Sequence, residues 1–159
     1  MNVRPHRYAA HLRWTGAARG ATTAYDAYDR TYAVEIAGKP TLTGSADAHF
    51  RGDPHVHNPE DLLVAALAAC HMLSYLAVCA RKGIAVVAYE DDAQGEMTLI
   101  EGKIRFREVV LRPSVTIADP ARIDEALALH AKAHDECFIA NSVNFPVRHE
   151  AVVDAQVRT

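Results

Sequence analysis

The sequence has few cysteines, little net charge and none of the short motifs that usually mark a metal site. It holds three cysteines among 159 residues, and its formal net charge is −3 with histidine neutral. Such a balance does not favour nucleic acid or an anionic membrane surface as a partner. The pairs His55 and His57, and His130 and His134, could each offer two ligands on one face. With no HExxH or CxxC motif beside them, we expect neither a metal nor an organic cofactor.

The sequence also lacks repeats, low-complexity tracts and any linker that suggests a second domain. Its length suits one domain that buries a real core, so we predict a single domain over residues 1–159. The N-terminus carries positive charge, but the apolar segment of a secretion signal does not follow it. These features predict a cytoplasmic protein whose thiols are reduced at rest.

Only one apolar run approaches the length that spans a bilayer. No formally charged side chain occurs from Leu62 to Ala80, which is close to the ~20 residues of a membrane-spanning helix. The run is dominated by alanine, with acidic residues before it and basic residues after it, as the helix dipole favours. Without a second such run, it predicts the buried central helix of a soluble fold. In so short a chain, a partner subunit is a natural source of cover for this helix.

The order of the predicted elements is typical of an α+β fold rather than of regular strand-helix alternation. The first helix begins at Pro59 with Asn58 as its N-cap, and it runs to about residue 82, where Gly83 ends it. The second helix begins near Pro120 and ends near Cys137. Strands are predicted at residues 7–14, 22–25, 31–36, 42–46, 84–89, 93–99, 103–114 and 145–157.

Cys70 lies about eleven residues into the first helix, where the N-terminal dipole barely reaches. A thiolate there would need another cation, and Arg19, on a loop punctuated by glycines, is the best candidate. The alternatives are Arg13, Arg30 and Arg51. Glu60 is ~15 Å from Cys70 along the helix axis, so it cannot contact the thiol through the helix, but it could hold Arg19 by a bidentate pair. Taken alone, Cys70 could also be a small buried hydrophobe.

Cys79 offers a contrast to Cys70. It follows by nine residues, which places it on nearly the opposite side of the helix and ~13 Å away along the axis. That separation is too large for a disulfide, so we predict that Cys79 is a plain core residue. If Cys70 has an intramolecular partner, that partner is Cys137.

The chain resembles the OsmC/Ohr family of thiol peroxidases over nearly its whole length. The resemblance is carried by Asn58-Pro59-Glu60-Asp61-Leu62-Leu63, Ala68-Ala69-Cys70, the later Cys137, and Trp14-Thr15-Gly16 followed by Arg19-Gly20. It implies an OsmC-like fold with curved antiparallel sheets around two central helices. It also implies an intertwined homodimer with two active sites at the interface.

The resemblance further implies a role for each residue of the site. Cys70 matches the peroxidatic cysteine and Cys137 the resolving one. Arg19 matches the arginine that polarises the peroxide and stabilises the thiolate, and Glu60 matches the glutamate that orients it. The family reduces organic hydroperoxides to alcohols, and its reductant is often a lipoylated protein or a small dithiol.

The sequence departs from the best-studied peroxidases of the family at two points. His71 follows Cys70, where a bulky apolar residue such as phenylalanine is common. Residues 138–141 follow Cys137, where a Cys-Pro pair is common. His71 and His134 could tune the thiols as imidazolium neighbours, or they could be ordinary buried histidines.

A rival hypothesis is a non-catalytic dimer that binds a small apolar ligand at its interface, with Cys70 as a packing residue. A binding module has no need for two cysteines, an arginine and Glu60 together. We therefore expect an enzyme, a thiol-dependent hydroperoxide reductase.

Overall fold

The computed structural model describes residues 4–156, which divide between Leu62 and Leu63 into two compact units. The helices are α1 (Pro59–Arg81) and α2 (Ile123–Asp135). The strands are β1 (His11–Trp14), β2 (Tyr32–Glu35), β3 (Leu42–Gly44), β4 (Val86–Asp91), β5 (Gln94–Ile100), β6 (Lys103–Leu111), β7 (Pro113–Ile117), β8 (Val147–His149) and β9 (Val152–Ala155). The predicted α+β content is confirmed.

The first unit contains one antiparallel sheet in the order β1-β2-β3. Val34 in the central strand lies opposite Leu12 and Leu42, so the sheet has an apolar row across it. β1 is exposed along its whole length. The strand predicted at residues 22–25 is wrong, because this segment closes local turns instead, with the Thr23 amide donating to Ala21 and the Ala27 amide to Ala24.

The second unit contains two mixed sheets, in the orders β4-β7-β9 and β5-β6-β8. In each sheet one strand pair is antiparallel and the other is parallel. The antiparallel character predicted for the sheets therefore holds only in part. The parallel pairs arise because α2 lies between β7 and the last two strands, and a helical crossover returns the chain in the same direction.

Two segments predicted as single strands are each divided between the two sheets. Residues 103–114 form β6 and the start of β7, and the chain changes sheets at Arg112. Residues 145–157 contain β8 and β9, which change sheets at Glu150 and Ala151 because β8 pairs with β6 and β9 with β7. The predicted end of that strand, Val157, lies outside the described residues.

Local signals set both ends of α1, as the sequence predicts. The Asp61 amide donates to Asn58 Oδ1 at 2.7 Å, and the Asn58 amide donates to Asp61 Oδ2 at 3.3 Å, which forms a reciprocal cap. Pro59 occupies the first helical position, where its missing N–H costs nothing. At the other end Gly83 adopts a φ of 67°, and the Ile84 amide donates to the Cys79 carbonyl at 2.9 Å.

Among the described residues, other parts of the chain cover one face of α1. Its buried residues are Leu67, His71, Tyr75, Val78 and Cys79. Another face, marked by Ala65, Ala69, Leu73 and Ala77, is exposed, and Leu73 has 62% of its surface accessible. By length and composition α1 could cross a membrane, and 28% of its most apolar 18-residue window is buried. The sequence predicts a buried helix, and in a single chain one side of the helix is buried.

The core of the second unit includes an unusual polar group, made of two fully buried histidines. His71 on α1 and His130 on α2 have no accessible surface, and His71 Nε2 lies 3.0 Å from His130 Nδ1. Burial lowers the pKa of His71 to about 4 and that of His130 to about 3. Both rings are therefore neutral at pH 7, which contradicts a role for His71 as an imidazolium neighbour of a thiol.

These two histidines should make the fold less stable in mild acid. In the unfolded chain a histidine titrates near pH 6.5, so between about pH 4 and 6.5 the unfolded state binds more protons than the folded state. The free energy of unfolding should therefore rise with pH across that window and level off above pH 7. We expect it to be lower at pH 5 than at pH 7 by on the order of 3 kcal/mol.

Urea unfolding at pH 5, 6, 7 and 8 measures this slope. The variant His71→Phe should lose part of it, because one titrating group is gone. Equal stability at pH 5 and pH 7 in the natural sequence would contradict the assignment of two neutral buried imidazoles.

Candidate active site

Cys70 opens into a groove on the second unit. The groove has a volume of about 740 Å³, and Cys70 is half-buried in its wall. The surface of its lining is mostly apolar. The lining residues are Ala66, Ala69, Cys70, Leu73, Ser74, Ala77, Arg81, Asp135, Glu136, Phe138 and Asn141. A thiol in such a wall can meet a small molecule that has an apolar body.

Cys137 lies behind Cys70, two residues past the end of α2. It is buried, and the thiol of Cys70 lies close enough to it to raise its pKa. Burial, together with this neighbouring thiol, raises the pKa of Cys137 to about 11, although the amides of Ala140 and Ile139 act in the opposite direction. The structure thus brings the two predicted redox cysteines together as free thiols.

Cys79 has a different environment. It is fully buried in the cluster that also contains Tyr75, Ile117 and Val153. Burial raises its pKa. This confirms the prediction that Cys79 is a core residue.

Arg19 lies in the first unit, at the end of a short 3-10 turn, Gly16–Arg19. Its side chain is 79% exposed, and its Nη1 donates to Asp29 Oδ2 at 2.6 Å. Asp29 also accepts from the Thr31 amide at 2.7 Å and from the Thr31 hydroxyl, and these bonds hold the pKa of its carboxyl below the usual range. Among the described residues, the carboxylate that pairs with Arg19 is Asp29.

Glu60 is half-buried in the first turn of α1. Burial raises the pKa of Tyr32, and the charge of Glu60 adds to that effect, so the carboxylate lies near this phenol. No ion pair or hydrogen bond joins Glu60 to Arg19 within residues 4–156.

The alternative arginines are each engaged elsewhere in the first unit. Arg13 pairs with Glu35 at 3.0 Å. Arg30 donates to the carbonyls of Tyr28 and Tyr25, and its guanidinium lies over both rings, 4.1 and 5.0 Å from their centroids. Arg51 has a positive φ and packs 5.9 Å from the Tyr25 ring centroid. The side chain of Arg19 is more exposed than that of Arg13, at 79% against 57%.

Sequence reasoning missed Asp29. An aspartate often forms a local turn in which its carboxylate accepts a hydrogen bond from the backbone amide two residues later, here that of Thr31. That signal identifies a turn, but it does not reveal that a distant arginine will pair with the second oxygen. Within the described part of the chain, no group of three or more His, Cys, Asp or Glu side chains is arranged to hold a metal ion.

Residues 52–151 match the family described as OsmC-like protein. The chain is 32% identical to an OsmC-like protein of unknown function from Vibrio cholerae, with a TM-score of 0.84 over 93% of this chain and 100% of that one. An organic hydroperoxide resistance protein from Elizabethkingia anophelis superposes with a TM-score of 0.70 at 21% identity, over 98% and 100% of the two chains. The uncharacterized protein YmaD of Bacillus subtilis is 26% identical over 101 residues, which are 60% of this chain and 67% of that protein.

Proposed function

The chain belongs to the family of OsmC-like proteins, and on that premise we propose that it is a thiol-dependent peroxidase that reduces organic hydroperoxides to alcohols. The observation that carries this proposal is the contact between the thiols of Cys70 and Cys137 at the wall of an apolar groove. Two free thiols in contact, one open to the groove and one buried behind it, suit a cycle in which the first is oxidised and the second resolves it.

The proposed cycle has two chemical steps and one reduction. The Cys70 thiolate attacks the distal oxygen of the hydroperoxide, the O–O bond breaks, and the alcohol leaves with a proton. Cys70 is then a sulfenic acid. The sulfur of Cys137 attacks it, the S–S bond forms and water leaves. An external dithiol, either a small molecule or a lipoylated protein, reduces the bridge by two exchanges.

The two cysteines differ in the way this division of labour requires. Cys70 reaches the groove, so the substrate can approach it. Cys137 is buried and its raised pKa keeps it a thiol, so it does not compete for the hydroperoxide. We assign Cys70 as the peroxidatic and Cys137 as the resolving cysteine.

We assign to Arg19 the positive charge that stabilises the Cys70 thiolate and polarises the peroxide, and to Glu60 the orientation of that arginine. The side chain of Arg19 lies on a short turn and is 79% exposed against 57% for Arg13, which supports the choice of Arg19. The present partner of Arg19, Asp29, is held in place by hydrogen bonds from Thr31.

We further propose that two chains form an intertwined homodimer, in the cytoplasm, around one OsmC-like domain per chain. Two surfaces support the dimer. The exposed α1 face that includes Leu73 is apolar, and β1 is exposed along its length. Apolar surface of this kind on a central helix favours association with a second copy.

A second candidate function is a non-catalytic protein that binds a small apolar ligand in the same groove. The mostly apolar lining favours it. The two candidate functions predict different fates for Cys70. In a binding protein Cys70 is a packing residue, and a hydroperoxide would not oxidise it.

Treatment with one equivalent of an organic hydroperoxide should produce the Cys70–Cys137 disulfide. Non-reducing peptide mapping by mass spectrometry measures the bridge, and the released alcohol should match it mole for mole. The control Cys79→Ser should form the same bridge at nearly the same rate, because Cys79 lies in the core. An unmodified Cys70 with no bridge would favour the binding protein over the peroxidase.

Replacing the arginine should slow the first step while leaving the fold intact. We expect Arg19→Ala to reduce the rate of hydroperoxide consumption by on the order of 100-fold, as is usual when a charge that stabilises a transition state is removed. The matched control is Arg13→Ala, which removes a surface pair with Glu35. Stopped-flow kinetics measures the rate of hydroperoxide consumption in each variant. An unchanged rate in Arg19→Ala means that another arginine has this role.

Sedimentation should give a particle of twice the chain mass of 17.4 kDa at micromolar concentration. The variant Leu73→Asp should shift it toward the monomer, because it buries a charge in the proposed interface. Leu127→Asp is a matched control, since Leu127 is also an exposed helical leucine. A monomer in the natural sequence at that concentration rejects the dimer.

A further inference from the structure

The two thiol-bearing segments are joined by three side-chain contacts that run in opposite order along the helices. The Cys70 thiol lies beside that of Cys137, His71 Nε2 is 3.0 Å from His130 Nδ1, and the Tyr75 hydroxyl donates to the Ala126 carbonyl at 3.1 Å. As the α1 position increases, the α2 position decreases, which is the order expected of an antiparallel pair. The thiols are at one end of this series, and the histidine contact is next to them.

His130 contacts two side chains of α1 that are one helical turn apart, one on the face of its ring and one at its edge. Its ring stacks on Tyr75 with centroids 3.9 Å apart and an angle of 12° between the planes. The His71 ring meets it edge to edge, with an angle of 10° between the planes, centroids 5.3 Å apart and Nε2 3.0 Å from His130 Nδ1. His71 and Tyr75 are four residues apart, so they lie on one face of α1. We call His71, Tyr75 and His130 the imidazole clamp.

The clamp is not explained by stability alone. His71 Nδ1 and His130 Nε2 are buried and find no hydrogen-bond partner among the described residues. A buried polar atom without a partner opposes folding. A phenylalanine at either position would fill similar space without that penalty, but it would lose the bond between Nε2 and Nδ1 that sets the distance between the helices.

Ionisable side chains from three other positions face the histidine pair. They are Tyr75 on α1, His134 on α2 and His149 on β8, with Tyr89 on β4 packed against Tyr75. Burial is the main reason that both imidazole pKa values fall, and the neighbouring histidines add to it. One neutral ring can then donate and the other accept, which is what a single directional bond between them requires.

We propose that His71 and His130 are positioning residues whose mutual hydrogen bond holds α1 against α2, so that the Cys70 and Cys137 thiols stay in contact. His71 is the residue next to Cys70, and His130 is seven residues, or two helical turns, before Cys137. The consequence for turnover rests on the proposed function, but the effect on the proximity of the thiols does not.

The proximity of the thiols is measured as their effective concentration in a glutathione redox buffer at pH 7. We expect His71→Phe to lower it by about tenfold, because the loss of one buried hydrogen bond is of that size. His71→Gln should stay within about threefold of the natural protein, since its amide reaches the place of Nε2 and can still bond His130. His149→Phe is the control, because the His149 ring packs 5.6 and 5.8 Å from the two rings but shares no hydrogen bond with them among the described residues.

An unchanged effective concentration in His71→Phe overturns the proposal. So does an equal loss in folded His71→Gln, because the effect would then come from packing and not from the bond. If His71→Phe does not fold, nitrogen NMR of the natural protein decides instead. Two neutral rings of complementary tautomer at pH 6 support the clamp, and two rings that titrate near pH 6.5 overturn it.

The failure of this proposal can be told from failure of the proposed function. If hydroperoxide leaves Cys70 unmodified while His71→Phe still lowers the effective concentration, the peroxidase is rejected and the clamp stands. If hydroperoxide forms the bridge equally fast in His71→Phe and in the natural protein, with equal effective concentrations, the clamp is rejected and the peroxidase stands. With both intact, His71→Phe should slow disulfide formation while the first oxidation of Cys70 keeps its rate.

Discussion

The need to cover the apolar helix α1 shapes the second unit. Its N-terminal half packs with Leu67 against the cluster that contains Val109 and Leu111, and its C-terminal half packs with Tyr75 and Cys79 against a second cluster. Each half of the helix packs on a different sheet. The chain passes from one sheet to the other between β6 and β7, and again between β8 and β9. The alanines of α1 leave a further face open, on which a second copy is proposed to pack.

The proposed cycle places two requirements on Cys70 in α1. The thiol must reach a groove, and it must also lie beside a second thiol that stays protonated. A half-buried position on α1 meets the first demand, and the buried segment after α2 meets the second. Because α1 is anchored in the core by His71 and Tyr75, small changes in helix packing would act directly on the distance between the thiols.

Features that depend on neighbouring residues could be predicted well. The start of α1 follows from Asn58 and Pro59, and its end follows from Gly83, because caps and breakers act within one turn. Segments whose form depends on distant partners could not be predicted in the same way. Residues 103–114 have the pattern of one long strand, and only pairing with β8 and β9 shows why the chain changes sheets at Arg112.

The sequence by itself determined the helix geometry and the motifs from which the site residues are predicted. It separated Cys79 from Cys70 by helix geometry, and its motifs indicated the family. Only the tertiary structure decided that the Cys70 and Cys137 thiols are in contact, that Arg19 pairs with Asp29, and that His71 is neutral. The physical reason is that residue type and helical spacing are local properties. A contact, an ion pair or the pKa of a buried group depends on atoms that are brought together from far along the chain.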